Sequence, residues 1–233
     1  MKQTGIMLKM AEDNLSIDDV DHSIGDVHIG FSPDTPLRKD AFDLTDEQKI
    51  STISGHMKEI MNTLGLDLED DSLKGTPGRV ARMFVKEIFS GLNPTNKPVI
   101  TLFDNKYKYS QMLVEKNITL YSNCEHHFVP IIGKVHIAYV SSGKVIGLSK
   151  LNRLVQYYAR RPQVQERLTI QIANELKSVL QTQNVAVVID ASHLCVSSRG
   201  IRDTSSSTIT SEYCGVFLES GRRNEFLKYV YSS

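Results

Sequence analysis

The chain has 233 residues, of which 40% are hydrophobic and 23% charged, and its 27 Lys and Arg residues balance 27 Asp and Glu residues. This composition is typical of one soluble globular domain, with or without an appendage. No run of about 18 apolar residues is present, which excludes a transmembrane helix, and the first residues lack the apolar segment of a secretory signal. Three cysteines are too few for a secreted disulfide framework, so we expect reduced thiols and a cytoplasmic location.

The charges are unevenly distributed along the chain. Residues 1–47 carry 11 acidic against 4 basic residues, whereas the rest of the chain carries 16 against 23. A basic body favours an anionic small-molecule ligand. Nucleic acid is not an expected partner, because no Lys/Arg run is longer than two residues and no nucleic-acid-binding motif is recognisable.

The N-terminal part of the sequence predicts an arm followed by a helical segment. Residues 1–44 are polar, rich in Asp and turn-prone, which is typical of a flexible acidic arm. Residues 45–97 are predicted to be helical. Thr45 and Gln48 have the spacing of a capping box that opens a first helix, and apolar residues then recur at helical spacing as far as Gly65.

The next segments predict a second helix and then a change to strands. "TPGRVARMFVKEIFSGL" has Pro77 in its first turn and Gly91 where a C-cap glycine is expected. From about residue 98 the chain is rich in β-forming residues, and "MLVEKNITLYS" and "GKVHIAYV" are predicted strands. "VSSGKVIGL" predicts a hairpin that turns through Ser141–Lys144.

Two helices are predicted between the strand-rich segments. "LSKLNRLVQYYARR" is amphipathic with Ser149 as its N-cap, and a break at Arg161 and Pro162 precedes the longer helix "QVQERLTIQIANELKSVLQ". "NVAVVIDASHLCVSS" and "SSTITSEYCGVFL" are predicted to be strands. This order predicts an α+β domain over residues 98–233, with an antiparallel sheet backed by helices.

The segment "CEHHFVP" begins a candidate metal site. Cys124 and His127 are three residues apart, which suits a tight turn around one ion, and His193 and Cys195 are two apart on a predicted strand and so face the same way. Thiolates and imidazoles are the ligands that Zn²⁺ prefers. The spacing leaves two arrangements open: four protein ligands in a structural site, or Cys124, His127 and Cys195 with an open position, beside which His126 and His193 act as acid and base.

Four segments resemble the GTP cyclohydrolase I family: "NCEHHFVP", "GLSKLNRLV", "RRPQVQERLT" and "SHLCVSSRGIRD". The resemblance runs from about Asp46 to Phe226 and includes "TPGRVARMF" and "EIFSGL". It implies the tunnelling fold, an antiparallel sheet backed by two helices, preceded here by an N-terminal helical segment. It also implies homodecamers of pentameric rings with active sites between subunits.

The activity that the resemblance implies is the hydrolytic opening of the guanine imidazole ring of GTP. Formate leaves, and the ribose rearranges to give 7,8-dihydroneopterin triphosphate, the first step of folate and tetrahydropterin biosynthesis. On the matching positions, Zn²⁺ is held by Cys124, His127 and Cys195, and His126 and His193 remain for proton transfer.

The resemblance also implies a set of residues that bind GTP. A carboxylate at Glu166 suits the two parallel donors of guanine, N1–H and N2–H₂, although any glutamate is favoured in the first turn of a helix. The family match also favours Gln165 as a contact of the base and Lys150, Arg153 and Arg199 as contacts of the triphosphate. Two further phosphate contacts are expected from the residues themselves: Ser149 at a helix start that can bind an anion, and Arg82 as a cation of the second predicted helix.

Two other interpretations remain possible at this point. One is a related tunnelling-fold enzyme that acts on a pterin or a deazapurine, which the zinc residues together with "QVQERLT" disfavour. The other is a non-catalytic protein with a structural zinc. The number of protein ligands separates catalysis from structure, because catalytic zinc sites keep an open position.

Overall fold

The computed structural model describes residues 32–232. Most of the predicted acidic arm, residues 1–31, lies outside the described residues, and residues 32–44 form turns and bends. The first helix begins directly after Thr45. The division of the chain into arm, helical segment and catalytic domain therefore stays a prediction.

The remaining residues form two helices, then four consecutive strands, and then helices alternating with strands. The helices are α1 (Asp46–Thr63), α2 (Thr76–Met83), α3 (Leu148–Ala159), α4 (Gln165–Leu180), α5 (Leu194–Ser197) and α6 (Ser220–Tyr231). The strands are β1 (Leu102–Asp104), β2 (Met112–Cys124), β3 (Pro130–Val140), β4 (Lys144–Ile146), β5 (Pro162–Gln163), β6 (Val185–His193) and β7 (Thr208–Tyr213). The predicted α+β class is confirmed. Across residues 32–232, no helix is both long and apolar enough to cross a bilayer.

The main sheet has five strands in the order β5-β2-β3-β6-β7. Neighbouring strands are antiparallel except for β5, which runs parallel to β2. The register places Ser122 near the end of β2 opposite Ile131, and Ile131 opposite His193 at the end of β6. The loop after β2 and the chain after β6 therefore meet at one edge of the sheet, where the predicted metal ligands lie.

Both faces of the sheet are covered. On one face, α3 and α4 bury a large apolar core that includes Leu151 and Ile172. On the other face, a smaller core forms around Phe217 and Phe226, whose rings meet edge to face at 6.1 Å. The sequence predicted α3 and α4 but not α6, because α6 buries only Phe226 and Val230 and has a weak apolar pattern.

The predicted start of α1 is confirmed. Thr45 accepts a hydrogen bond from the backbone N–H of Gln48 at 3.2 Å, and the Gln48 side chain accepts one from the backbone of Thr45 at 2.8 Å. This reciprocal pair satisfies two backbone donors at the helix start.

Two local predictions are wrong. β4 pairs with β1, with Leu102 opposite Ile146, so the predicted hairpin through Ser141–Lys144 is not formed. Ser149 is not an N-cap, because α3 begins at Leu148 and Gly147 is the capping residue without a side-chain bond. In both cases the residues just before α3 contact a segment distant in sequence. Ile146 pairs with Leu102 of β1, and the N–H of Gly147 donates to the carbonyl of Thr101.

The predicted second helix changes form before its end. Its α-helical part stops at Met83, and a π-helical turn, Phe84–Ile88, and a 3₁₀ turn follow. Gly91 is therefore not a C-cap. It is buried, and its N–H donates to the carbonyl of Arg160 at 2.9 Å, so a close approach to the end of α3 is the reason for glycine at this position.

Replacing Gly91 with alanine should strongly destabilise the protein, because a methyl group there would overlap the backbone carbonyls of Tyr157 and Arg160. Overpacking of this kind costs about 3 kcal/mol or more when backbone must move. Thermal unfolding measures the loss. Gly78→Ala is the control, since no atom lies within 4 Å of the added methyl group and alanine favours a helix by about 0.5–1 kcal/mol. Equal midpoints for the two variants would contradict the close approach.

Candidate active site

Three of the predicted ligands come together at the sheet edge. Cys124 is the last residue of β2, His127 lies in the loop that follows, and Cys195 lies on α5. Their ligand atoms are all within 4.8 Å of one another, which is close enough to surround one ion. His193 is not in this cluster, because its side chain is hydrogen-bonded to Gln165. The geometry thus groups three ligands and does not support the four-ligand alternative.

The loop between β2 and β3 is closed by its own hydrogen bonds. The backbone N–H of Cys124 donates to Val129 at 2.9 Å, and that of Phe128 donates to Cys124 at 2.8 Å. The side chain of Asn123 donates to the carbonyl of Phe128 at 3.2 Å. Phe128 has φ of 56°, the left-handed conformation that such a tight reversal requires. The reversal brings His127 close to Cys124.

His193 and Cys195 do not lie on one strand, as the sequence analysis predicted. β6 ends at His193, and Leu194–Ser197 forms a short helical turn. Because a helical turn rotates side chains by about 100° per residue, the two side chains differ in direction: Cys195 joins the metal cluster, and His193 bonds Gln165. The spacing of His193 and Cys195 correctly indicated a site at this segment, but Cys195 lies in a helical turn and not on a strand.

The electrostatics of the cluster suit a cation. Burial raises the pKa of the Cys195 thiol, and the neighbouring Cys124 raises it further, whereas Arg199 opposes both. A bound metal ion reverses this effect because a coordinating thiol is deprotonated. His126 lies beside the cluster, with Nδ1 3.7 Å from the sulfur of Cys124. Nη1 of Arg199 donates to Nε2 of His127 at 2.8 Å.

A buried ion pair holds the loop against α4. Arg167, whose side chain is 3% exposed, donates to both carboxylate oxygens of Glu125, at 2.6 and 3.1 Å. Its Nε also donates to the carbonyl of Ser32 at 2.9 Å. Glu125 stands between the metal ligand Cys124 and His126, so this pair fixes the segment that carries them. This pair was not predicted, although both residues lie in the conspicuous segments "NCEHHFVP" and "RRPQVQERLT".

His193 is held by the first turn of α4. Its Nε2 lies 2.7 Å from Oε1 of Gln165, and burial lowers its pKa while the charge of nearby Glu166 opposes that effect. Glu166 itself is exposed. The amide nitrogen of Gln165 donates to the carbonyls of Ile189 and Thr208, at 3.2 and 2.8 Å. The expected contact of this amide with the base is therefore not supported, since both of its ends are used within the chain.

The residues expected to bind the triphosphate do not all lie at the metal end. α3 runs alongside β2: Gln156 donates to Thr119 at 2.7 Å, and Ser122 donates to Ala159, at the end of α3, also at 2.7 Å. Ser149, at the start of α3, is ten residues before Ala159, which is about 15 Å along a helix. The start of α3 therefore lies at the far end of the sheet from the metal cluster.

The other cations of this set are placed as follows. Lys150 is half-buried in the first turn of α3. Arg153 is exposed and lines an open cavity of about 560 Å³ together with Lys86 and Arg160. Arg82 is exposed in the last turn of α2. Among the expected phosphate contacts, Arg199 is the one that the structure places beside the metal cluster.

The sheet edge thus holds a cluster of two thiols and one imidazole with His126 beside it, and His193 ends the strand two residues before the ligand Cys195. Three grouped ligands could hold a metal ion and leave one coordination position open, which is typical of metalloenzymes rather than of closed structural sites. The profile of the GTP cyclohydrolase I family matches residues 53–231, and the chain belongs to that family.

Similar proteins cover most of the chain. A GTP cyclohydrolase 1 of Flavobacterium johnsoniae is 62% identical over 207 residues, which are 89% of this chain and 93% of the relative. A GTP cyclohydrolase 1 of Escherichia coli O1:K1 / APEC is 54% identical over 198 residues, 84% of this chain and 89% of the relative. One of Salmonella arizonae is 52% identical over 208 residues, 89% and 94% of the two chains.

Replacing Arg167 with methionine should weaken both the fold and the metal site. Loss of one partner leaves Glu125, only 17% exposed, without its counter-charge, and such a loss costs about 3–5 kcal/mol. Because Glu125 adjoins a ligand, we also expect the affinity for added Zn²⁺ to fall about tenfold. Thermal unfolding and zinc titration measure the two effects.

Lys144→Met is the matched control for this variant. It removes an exposed ion pair with Asp104, and exposed pairs contribute less than about 1 kcal/mol. If Arg167→Met were as stable as Lys144→Met and bound Zn²⁺ equally well, the ion pair of Arg167 with Glu125 would not be what holds the loop in place.

Proposed function

We propose that this chain opens the imidazole ring of guanine in GTP by zinc-dependent hydrolysis. The products are formate and 7,8-dihydroneopterin triphosphate, the first step of folate and tetrahydropterin biosynthesis. The observation that carries the proposal is the cluster of Cys124, His127 and Cys195, with His126 beside it and His193 two residues before Cys195, in a member of the GTP cyclohydrolase I family.

The donor set supports Zn²⁺ as the metal. Two thiolates and one imidazole are typical ligands of this borderline-soft ion, and a set of three leaves a position for a small molecule. Zn²⁺ supplies Lewis-acid chemistry when it is bound there. Because two thiolates cancel the charge of the ion, proton transfer falls largely to neighbouring side chains.

His126 and His193 are the groups for that proton transfer. Hydrolysis at C8 of guanine requires that a proton leave the attacking water and that N7 receive one as the ring opens. Imidazoles do both near neutral pH. His126 lies beside Cys124, and His193 is held at the end of β6, so the two histidines approach the cluster from different segments.

Glu166 is the proposed recognition group for guanine. It is exposed at the start of α4 and close enough to His193 for its charge to affect the pKa of that imidazole. A carboxylate accepts two parallel hydrogen bonds, from N1–H and N2–H₂ of guanine, whereas adenine offers no such pair of donors. This contact selects guanine and aims the ring toward the histidines.

The triphosphate site supports assembly into a homo-oligomer. Ser149, Lys150 and Arg153 lie along α3, whose start is about 15 Å from its end near the metal cluster, and this separation supports a GTP site in which one copy supplies the metal cluster and another the phosphate contacts. In the described sheet, β7 is also an edge strand, and its Ile209 is 54% exposed. We propose a decamer of two pentameric rings in the cytoplasm, with no nucleic-acid partner.

Purified protein loaded with Zn²⁺ should release formate from GTP and give a product that is a fluorescent pterin after oxidation. Cys195→Ala should lose both zinc and formate release. His126→Ala should keep zinc and lose turnover by about 100-fold or more, because it removes a proton carrier and no ligand. Zinc analysis and a formate assay decide between these outcomes. Absence of formate from the wild-type protein would reject the proposed activity.

Glu166→Gln should raise the KM for GTP and lower kcat/KM by roughly tenfold or more, because an amide cannot accept both guanine donors and charged hydrogen bonds contribute about 1.5–3 kcal/mol. Steady-state kinetics with GTP measure the change. The control is Glu225→Gln, which neutralises a half-buried carboxylate on α6 that pairs with Arg222. An unchanged KM in Glu166→Gln would remove this residue from the guanine site.

A further inference from the structure

We propose that Gln165 is a positioning residue that holds His193 in the tautomer with its hydrogen on Nε2, so that Nδ1 is the proton-accepting nitrogen. The inference rests on the proposed function in one respect, since it gives His193 a defined role in that reaction. It concerns a glutamine that was expected to contact the base and whose amide is instead enclosed by the protein.

The orientation of the Gln165 amide is fixed by backbone carbonyls. Gln165 is 1% exposed, and its nitrogen lies 3.2 Å from the carbonyl of Ile189 and 2.8 Å from that of Thr208. A carbonyl only accepts hydrogen bonds, so the NH₂ group must face this side. The two carbonyls belong to β6 and β7, which are paired along their length, so neither can turn away.

Two threonines complete a closed hydrogen-bond circuit. The hydroxyl of Thr169 donates to the backbone carbonyl of Gln165 at 2.8 Å, so it must accept from the hydroxyl of Thr210, 2.7 Å away. Thr210 in turn accepts from the amide nitrogen of Gln165 at 3.2 Å. The hydroxyl hydrogens of both threonines are thus committed, and the two hydrogens of the amide are shared among three acceptors, the carbonyls of Ile189 and Thr208 and the hydroxyl of Thr210. All three acceptors lie on the nitrogen side of the amide, which again places the nitrogen away from His193.

The amide oxygen therefore faces the imidazole, and this decides the tautomer. Oε1 of Gln165 can only accept, so Nε2 of His193, at 2.7 Å, must donate. A neutral imidazole carries one N–H, which leaves the lone pair on Nδ1. The amide itself is neutral, so Gln165 orients the ring through the hydrogen bond and adds no charge of its own.

The first test is the effect of Gln165→Met on turnover. This variant keeps the length of the side chain and removes the acceptor, so His193 is free to adopt the other tautomer. We expect unchanged zinc content, a KM for GTP within twofold of the wild type, and a kcat lowered about tenfold or more. Gln171→Met is the control, because it removes another buried glutamine of α4 that bonds Gln163 and not a histidine.

The Gln171 control should lose stability and keep kcat. Full kcat in a folded, zinc-loaded Gln165→Met protein would overturn the proposal. So would a fall in kcat of the same size in both variants, because a general loss of buried hydrogen bonds would then explain the effect.

The second test does not depend on turnover and also covers the case in which Gln165→Met fails to fold. Nitrogen NMR of the full-length, zinc-loaded protein labelled in histidine distinguishes protonated from unprotonated ring nitrogens. The signal of His193 is the one that disappears in His193→Asn. A protonated Nε2 is expected, and a protonated Nδ1 would overturn the proposal. If the wild type released no formate, the proposed function would fail while this spectrum still decided the tautomer.

Discussion

The register of β2, β3 and β6 is the constraint on which the site depends. Ser122, Ile131 and His193 lie side by side across three strands, so two segments far apart in sequence end at the same place. A shift of the β3–β6 pairing by two residues would displace Cys195 by about 7 Å relative to Cys124. The backbone ladder thus sets the separation of the metal ligands before any side chain contributes.

In the first turn of α4, three consecutive side chains point in three different directions. Gln165 points inward to His193, Glu166 points to solvent, and Arg167 points to Glu125 in the metal loop. A helix rotates by about 100° per residue, which separates these directions without any loop. Because β5 pairs with the end of β2 just before this turn, the turn is anchored to the loop that it supports.

Local signals in the sequence predicted much of this fold. The capping box at Thr45, the amphipathic patterns of α3 and α4, and the thiol and imidazole spacing all depend on near neighbours, and the structure contains each of them. What the sequence could not provide depends on distant contacts. The pairing of β4 with β1 and the π-helical turn before Gly91 are examples, and neither has a local signature.

The contacts that complete the site were also beyond local reasoning. Nothing near Arg167 in sequence indicates a carboxylate partner 42 residues away, and nothing near Gln165 indicates His193. The length of a predicted helix did carry information about the site. Ser149 lies at the start of one predicted helix and Glu166 at the start of the next, so the length of the first helix, about 15 Å, indicates that the two expected contacts are far apart in one chain.

That separation along α3 has a consequence for genetics. Under the proposed assembly, each copy contributes the metal half of one site and the phosphate half of another. A subunit damaged at Cys195 and a subunit damaged at Lys150 would then each be inactive alone, yet mixed rings would contain some sites with two intact halves. Two defective alleles of this gene should complement each other when they are expressed together, whereas two alleles damaged in the same half should not.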